Sequence, residues 1–375
     1  MASLTKMIHR TLSSLSPIRA MSDDLYKERN LKRLVEKFKR YSDIPRFRTK
    51  TGIYESTVHK LAAAKRFKWV EEILEHQKNY KPDICTESFA VRLVNLYGKC
   101  GLFENAYKVF DEMPERNCTR GLKSVNTLLA ACVNSKEYDR IESLFEELVE
   151  KLKLKPDVVT YNVMIKGLCE KGELDKAVGF FDEIEKNGLE ADLVTFNTMC
   201  GAFYSNGRFD DGEKMWDLMV RKNVVPDIRS YNAKLVGLMN EKKVAEAVRI
   251  IGELGSFELK PDVFTYGALI RGFCKMGNLE EAKKWYGEIV TSSSIPNKVI
   301  FGSVISLACE KGNFDLAFEL CKEIFKRKCN VDVKLLQRVV DGLVNSSRIR
   351  EAKEVVRLGK SNDYCLYKLN FPSDD

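Results

Sequence analysis

Hydrophobic and polar positions follow a pattern that recurs every 35 residues along much of the chain. The segment Val158-Val159-Thr160-Tyr161-Asn162 returns four more times at that spacing, and each copy has an aromatic residue at its fourth place. The fifteenth place is glycine in four of these five copies, and the twentieth is always alanine or glycine. A fixed period of 20 to 50 residues is typical of stacked repeat proteins. The pattern therefore predicts an array of repeats.

Each repeat predicts a pair of helices. In residues 158–192 the first helix is expected to run to Gly172, because glycine can adopt the left-handed conformation that ends a helix. The second helix has apolar residues at helical spacing, namely Leu174, Ala177, Val178, Phe181 and Ile184. One such pair cannot bury its own apolar face, so neighbouring pairs stack. The expected fold is all-α, an α-solenoid superhelix of about nine helix-turn-helix repeats.

The period extends in both directions from its clearest part. The predicted repeats are residues 51–83, 84–121, 122–157, 158–192, 193–227, 228–262, 263–297, 298–332 and 333–360. Residues 22–50 are expected to form a basic N-terminal helical cap, with an independently binding basic arm as the alternative. Residues 361–375 form a C-terminal tail. Residues 84–121 are divergent: their fifth place is Ser88 by counting, or Ala90 if Phe89 is aligned with the aromatic column.

Positive charge is concentrated at the N-terminus. The chain has a net charge of +8, and residues 1–50 contain 13 Lys/Arg against 5 Asp/Glu, so the remainder is balanced. A balanced array would bind a polyanion through one face only. The first twenty residues are basic, rich in hydroxyl groups and free of acidic residues. They predict a transit peptide over residues 1–21, with Arg19 near the cut, and a mitochondrial matrix location; a plastid is the alternative.

The residue types that support most catalytic and metal sites are scarce. There are only three histidines, and none of the eleven cysteines forms a Cys-x-x-Cys pair. The cysteines are expected to be free thiols in a reducing compartment. No apolar run reaches the roughly 18 residues that span a bilayer. We expect no enzyme activity, cofactor, metal, small-molecule substrate or membrane contact.

The opening Val-x-Thr-Tyr-Asn, the 35-residue period and the closing Pro226-Asp227 and Pro261-Asp262 together resemble the pentatricopeptide repeat family. Tetratricopeptide repeats have a period of 34 residues and lack both the Val-x-Thr-Tyr-Asn opening and the Pro-Asp closing. The resemblance implies that each repeat holds one base of single-stranded RNA, read by the side chains at the fifth and last places. An amide offers a donor and an acceptor to a base edge, and a carboxylate can orient it.

The resemblance implies four complete reading pairs and a row of base-stacking residues. The pairs are Asn126 with Asp157, Asn162 with Asp192, Asn197 with Asp227, and Asn232 with Asp262, a combination that favours uridine in this family. The second-place residues Val159, Val194, Arg229 and Phe264 would pack against the base faces. The next two repeats have Gly267 with Asn297 and Gly302 with Asp332, so they lack the amide. A purely structural interpretation, in which these side chains only cap helices, is the alternative.

The expected function is that of a non-catalytic RNA-binding or ribonucleoprotein component in an organelle. The leader segments 25–33 and 47–54 are similar to those of plant pentatricopeptide repeat proteins associated with the small subunit of the mitochondrial ribosome. Ribosomal RNA and small-subunit proteins would then be the partners. The alternative is a free, sequence-selective factor for transcript processing, stability or translation that prefers a short uridine-rich strand. A scaffold that binds only proteins is a third hypothesis.

Overall fold

The structure of the protein, a computed structural model, describes residues 17–292, 294–362, 365 and 367–371. These residues form twenty-two α-helices and three short 3₁₀ helices, and they contain no strand. The first twelve helices are α1 Pro17–Lys27, α2 Leu31–Ser42, α3 Pro45–Arg48, α4 Thr51–Ala63, α5 Phe67–Gln77, α6 Lys81–Ile84, α7 Glu87–Lys99, α8 Phe103–Asp111, α9 Leu122–Asn134, α10 Ile141–Leu152, α11 Val158–Lys171 and α12 Leu174–Lys186. The other ten are α13 Leu193–Ser205, α14 Phe209–Arg221, α15 Ile228–Asn240, α16 Val244–Glu253, α17 Val263–Lys275, α18 Leu279–Thr291, α19 Lys298–Glu310, α20 Phe314–Lys326, α21 Val333–Asn345 and α22 Ile349–Ser361.

The chain divides into two compact units, residues 1–191 and residues 192–375. The first contains α1 to α12 and the second α13 to α22. Within each unit the helices follow one another as pairs, and the first helix of a pair packs against its own second helix and against the next first helix, as α7 does with α8 and α9. The predicted all-α solenoid of repeated helix pairs is therefore confirmed.

Particular residues at the two ends of each first helix determine where that helix begins and ends. Asp157 caps α11: its Oδ1 accepts from the amide of Thr160, while the Thr160 hydroxyl accepts from the amide of Asp157. At the other end Gly172 has a φ of +92°, the left-handed conformation expected there. Lys242 occupies the same place in its repeat and also has a positive φ, +59°, without the freedom of glycine.

Small residues let the helices of the array approach closely. Ala177, at the twentieth place, is fully buried. A Cβ added to Gly212, its counterpart in the next repeat, would lie 2.5 Å from the ring of Tyr204 on the partner helix. First helices also approach one another at glycine, since a Cβ on Gly98 would lie 2.5 Å from the Cβ of Ala131. The close spacing of successive helices depends on these missing side chains.

The N-terminal segment packs onto the first repeat. Phe38 of α2 is fully buried, and its ring lies 5.0 Å from that of Tyr54 on α4. The Lys37 ammonium lies 2.8 Å from both Asp24 and Glu28, which joins α1 to α2. Residues 1–16 of the expected transit peptide lie outside the described residues. Its remaining residues begin α1, where Ile18 is 8% exposed.

The residues after the last helix cover the other end of the array. Tyr367 and Leu369 are buried, and the Tyr367 hydroxyl accepts a hydrogen bond of 3.0 Å from the amide of Val331. The ring of Tyr367 also packs edge-on against Phe325 of α20. End repeats need such cover, because their outer faces have no neighbour.

Candidate nucleic-acid interface

A closed hydrogen-bond network joins the amides of Asn126, Asn197 and Asn232 to the start of the following first helix. The amide nitrogen of Asn126 donates to Oδ1 of Asp157 at 3.1 Å. The Thr160 hydroxyl donates to the Asn126 amide oxygen at 2.7 Å. Because Asp157 and Thr160 also form the capping box of α11, the amide orientation and the helix start are fixed together.

The same network recurs in the second compact unit. Asn197 donates to Asp227 at 3.0 Å and accepts from the Ser230 hydroxyl at 2.6 Å. Asn232 donates to Asp262 at 3.1 Å and accepts from Thr265 at 2.7 Å. Three predicted pairs are thus brought into direct contact. Each amide retains one N–H and one oxygen lone pair for another partner.

The fourth predicted pair is divided between the two compact units. Asn162 is half-buried on α11. Asp192 caps α13, where its Oδ1 accepts from the amide of Thr195 at 2.9 Å. Local geometry at the cap therefore matches that of the other three aspartates.

The third-place hydroxyl is the functional residue that the sequence analysis missed. A signal for it was present: Thr or Ser stands third in every repeat that follows an asparagine of the four pairs. After Gly267 and Gly302, which lack the amide, the third places are Ile300 and Leu335. Asn297 still caps α19 through the amide of Ile300 at 3.1 Å. The cap persists where the amide network is lost.

The network favours the ionised forms of Asp157 and Asp227. Burial opposes ionisation of Asp157, but hydrogen bonds from Thr160 and Asn126 outweigh it and hold its pKa below the ordinary value. Burial likewise opposes ionisation of Asp227, whose pKa is lowered by Ser230, Asn197 and the amide of Arg229. An ionised carboxylate only accepts, so it can hold the asparagine in one orientation, with the nitrogen toward the acid.

The four residues predicted to stack on bases are exposed and lie one turn before the fifth place of their repeats. Val159 is 53% exposed and Phe264 is 62% exposed, although both are apolar. Val194 and Arg229 are exposed as well. Apolar side chains repeated at an exposed position are suited to contact with the flat face of a base.

A groove of about 750 Å³ brings several of these groups together in the first compact unit. Asn126, Asp157 and Val159 line it, and Arg92 and Lys123 add positive charge. The Arg92 guanidinium donates to the carbonyl of Arg48 and lies 5.4 Å from the Tyr54 ring centre, which fixes its position. The groove thus combines an oriented amide, an apolar side chain and cations.

Helix register corrects the alignment of the divergent repeat. Val91 lies four residues after the start of α7, as Asn126 does in α9, so Val91 occupies the fifth place rather than Ser88 or Ala90. The last residue of this repeat is Gly121, not an acid. Glu87 caps α9 instead, since its Oε1 accepts from the amides of Gly121 and Ser124 at 3.0 and 3.2 Å. This repeat therefore keeps a carboxylate cap and lacks an amide.

The groove between α19 and α21 has a different composition. It has a volume of about 830 Å³ and is lined by Gly302 and Asp332, together with Lys298, Lys334 and Arg338. This groove has Gly302 at the fifth place instead of an asparagine, and three positively charged side chains line it. Such a surface suits phosphate contact better than base recognition.

Two further observations concern the described residues only. No group of three His, Cys, Asp or Glu side chains converges in a way that could hold a metal ion. None of the described helices combines the length and apolar character needed to cross a bilayer.

Known proteins resemble parts of this chain. The Arabidopsis thaliana small ribosomal subunit protein mS79 (rPPR3b) is 55% identical over 157 residues, which is 42% of this chain and 40% of that protein. The small ribosomal subunit protein mS78 (rPPR3a) of the same plant is 52% identical over 168 residues, or 45% of this chain and 42% of that protein. The alignments thus span less than half of either relative. The crystal structure of PPR10 in complex with an 18-nucleotide psaJ RNA element aligns with 93% of this chain and 61% of that one, at 18% identity and a TM-score of 0.49.

Family models match along most of the array. A model of the PPR repeat family matches residues 120–170, 156–204 and 191–240. Two models of the PPR repeat match residues 257–288, and residues 92–118 and 299–329. Together these matches cover more than half of the chain, so this protein belongs to the pentatricopeptide repeat family.

Proposed function

We propose that this protein is a non-catalytic RNA-binding component of, or a factor associated with, the small subunit of the mitochondrial ribosome. The observation that carries the proposal is identity above 50% to two proteins named as small ribosomal subunit proteins. Other similar proteins are named as mitochondrial pentatricopeptide repeat proteins, which supports mitochondrial location. We propose the matrix as the compartment, because the ribosome works there.

RNA contact is proposed to occur, within each compact unit, through the oriented amides and the exposed second-place side chains. Asn126, Asn197 and Asn232 each retain a free donor and acceptor, which is what a Watson–Crick edge requires. Val159 and Phe264 supply apolar surface beside them. A particle component needs little base selectivity of its own, because neighbouring proteins and RNA fix its position. We also propose the preference for uridine that the Asn/Asp pairs imply.

Sedimentation of tagged protein from mitochondrial lysate tests the assignment. The protein is expected to sediment with the small subunit in a sucrose gradient at moderate salt. It should move to the top of the gradient after ribonuclease digestion, because its position depends on RNA. A soluble matrix enzyme with the same tag is the control for trapping in large particles.

Two other outcomes would overturn this assignment in favour of a named alternative. Sedimentation at the top of an untreated gradient, with tight binding of a uridine-rich oligonucleotide, would indicate a free sequence-selective factor. Co-sedimentation that survives ribonuclease, without any oligonucleotide binding, would indicate a protein-binding scaffold.

A further inference from the structure

Five exposed cations lie close together in sequence on the N-terminal cap. We call Lys27, Arg29, Lys32, Arg33 and Arg40 the basic face. The first two lie at the junction of α1 and α2, and the other three lie on the exposed side of α2. From Arg33 to Arg40 the helix rises about 10 Å, so the face extends along about two turns.

The members of the basic face differ from Lys37, Lys39 and Arg48 of the same cap, which have ion-pair partners. Lys37 is paired with Asp24 and Glu28, Lys39 with Glu72 at 3.0 Å, and Arg48 with Asp83 at 2.6 Å. No member of the basic face has an ion pair within the described part of the chain. Arg40 lies 5.3 Å from the ring centre of Tyr41, hydrogen-bonds the side chain of Tyr41 and helps to lower the pKa of Asp24 without forming an ion pair with it.

Carboxylates near the basic face are few. Glu36 lies on the exposed side of α2, between Arg33 and Arg40, and Asp23 is exposed on α1. Asp43, after α2, accepts a hydrogen bond of 2.8 Å from the Tyr80 hydroxyl. Lys37 can neutralise only one of Asp24 and Glu28, so the five cations are offset by Glu36, Asp23 and one further carboxylate, and the surface keeps a positive excess.

The backbone beneath the basic face is held in place by the packing of the cap. Lys60 of α4 donates to the carbonyls of Tyr26 and Glu28, which ties the end of α1 to the first repeat. Asn30 caps α2 by accepting from the amide of Arg33 at 3.1 Å. A fixed array of charges loses less entropy on binding than a flexible arm would.

The packing of α2 also decides which polyanion suits the face. A basic amphipathic helix binds a membrane by inserting its apolar side, but Leu34 and Phe38 on that side are fully buried in the protein core. The exposed side of α2 carries no aromatic residue, and Tyr26 at the end of α1 is a single exposed ring, so the face has no row of rings on which successive unpaired bases could stack. A base-paired RNA helix presents closely spaced phosphates outward and keeps its bases stacked inside, so it needs only charge complementarity.

We propose that the basic face binds the phosphate backbone of double-stranded RNA, as a second RNA contact separate from the grooves. This inference rests on the proposed role in a ribonucleoprotein particle and extends it. The grooves would contact single-stranded RNA, while the cap would contact a neighbouring RNA helix. The two contacts involve different residues and can be removed independently.

Binding of the full chain to an RNA duplex of about 20 base pairs tests the inference, since that length exceeds the roughly 16 base pairs that a double-strand-binding domain covers. The triple variant Lys32→Gln/Arg33→Gln/Arg40→Gln should weaken binding about ten-fold or more at 0.1 M salt. It should lower the slope of log affinity against log salt by about 2, because each lost phosphate contact releases fewer counterions. The matched control is Lys108→Gln/Lys283→Gln/Lys326→Gln, which removes the same charge from exposed positions on second helices.

The outcomes distinguish this inference from the proposed groove function. Equal losses in the two triple variants would overturn the inference, because only net charge would then matter. Equally tight binding of polyglutamate, or of anionic phosphatidylserine vesicles, would also overturn it by assigning the face to an acidic protein or a membrane. The variant Asn126→Ala/Asn232→Ala should leave duplex binding unchanged, so failure of the groove and failure of the cap give different results.

Discussion

Replacing Asn232 by alanine should separate base reading from helix capping. The change removes the amide and leaves Asp262 and Thr265 in place. The hydroxyl of Thr265 already lies 3.1 Å from Oδ1 of Asp262, so it can donate there instead of to Asn232. With that bond substituted, we expect the free energy of unfolding to fall by less than about 1 kcal/mol.

Base discrimination at this position should fall much further than stability. If the free donor and acceptor of Asn232 read a base edge, their loss removes about 1–3 kcal/mol of discrimination, or about 5- to 150-fold in relative affinity. Fluorescence anisotropy with a short uridine-rich strand, compared with strands that carry one cytidine or adenosine, measures this ratio. Salt must be held constant, since phosphate contacts change affinity for all the strands alike.

A second substitution, Thr265→Val, removes the hydroxyl and leaves the amide free to turn. The Asn232 oxygen loses a donor at 2.7 Å and the Asp262 amide loses an acceptor at 3.0 Å, which together predict a loss of about 1–2 kcal/mol. For a compact unit of this size, that loss lowers the melting temperature by about 2–8 °C. Thr198→Val is the matched control, because its hydroxyl donates only to a carbonyl of its own helix.

The base-reading hypothesis would be refuted if Asn232→Ala left the affinity ratios among the strands unchanged and lowered the free energy of unfolding by about 2 kcal/mol or more. A loss of that size is expected when a helix loses its cap. The asparagine would then be part of the helix start alone. The structural interpretation predicts that pattern of results, so one set of measurements decides between the two.

Three further predictions concern stability. Gly98→Ala should destabilise the fold by about 1–3 kcal/mol, because the added Cβ would overlap the neighbouring first helix. Gly179→Ala is the control and should be neutral or slightly stabilising, because nothing lies within 4 Å of the added Cβ. Urea unfolding measures both. Lys242→Gly should raise stability by up to about 1 kcal/mol in thermal unfolding, since its φ of +59° suits glycine. The pKa values of Asp157 and Asp227 are lowered on folding, so the stability they contribute is present above the ordinary carboxyl pKa of 3.8 and is lost as the pH falls through the folded values. Asp157→Asn should therefore flatten the dependence of unfolding free energy on pH below about 4, and an unchanged curve would contradict that reasoning.

Much of the fold followed from the sequence because each repeat marks both ends of its first helix. Asp157 and Gly172 bound α11 through a side-chain cap and a left-handed turn, and both effects are local. Local signals of this kind survive in a single sequence. The helix bounds in the regular repeats were therefore predictable.

Other features depended on contacts that a single repeat does not contain. The register of α7 was not predicted, because the acid that caps the next first helix, α9, is Glu87 at the start of α7 and not the last residue of the repeat. The sequence placed Asn126 and Asp157 in one reading pair, but only the structure revealed that Thr160 completes it. Whether the basic cap packs or extends as an arm also depended on long-range burial, here of Phe38.

The network around each amide has a consequence for how such arrays change by gain or loss of repeats. An asparagine and its acid belong to one repeat, while the hydroxyl that completes the network belongs to the next. Recognition is therefore a property of junctions: inserting a foreign repeat between two others creates two new junctions and abolishes one. A grafted repeat should keep its amide oriented only if the following repeat supplies the matching hydroxyl, as Ser230 does for Asn197.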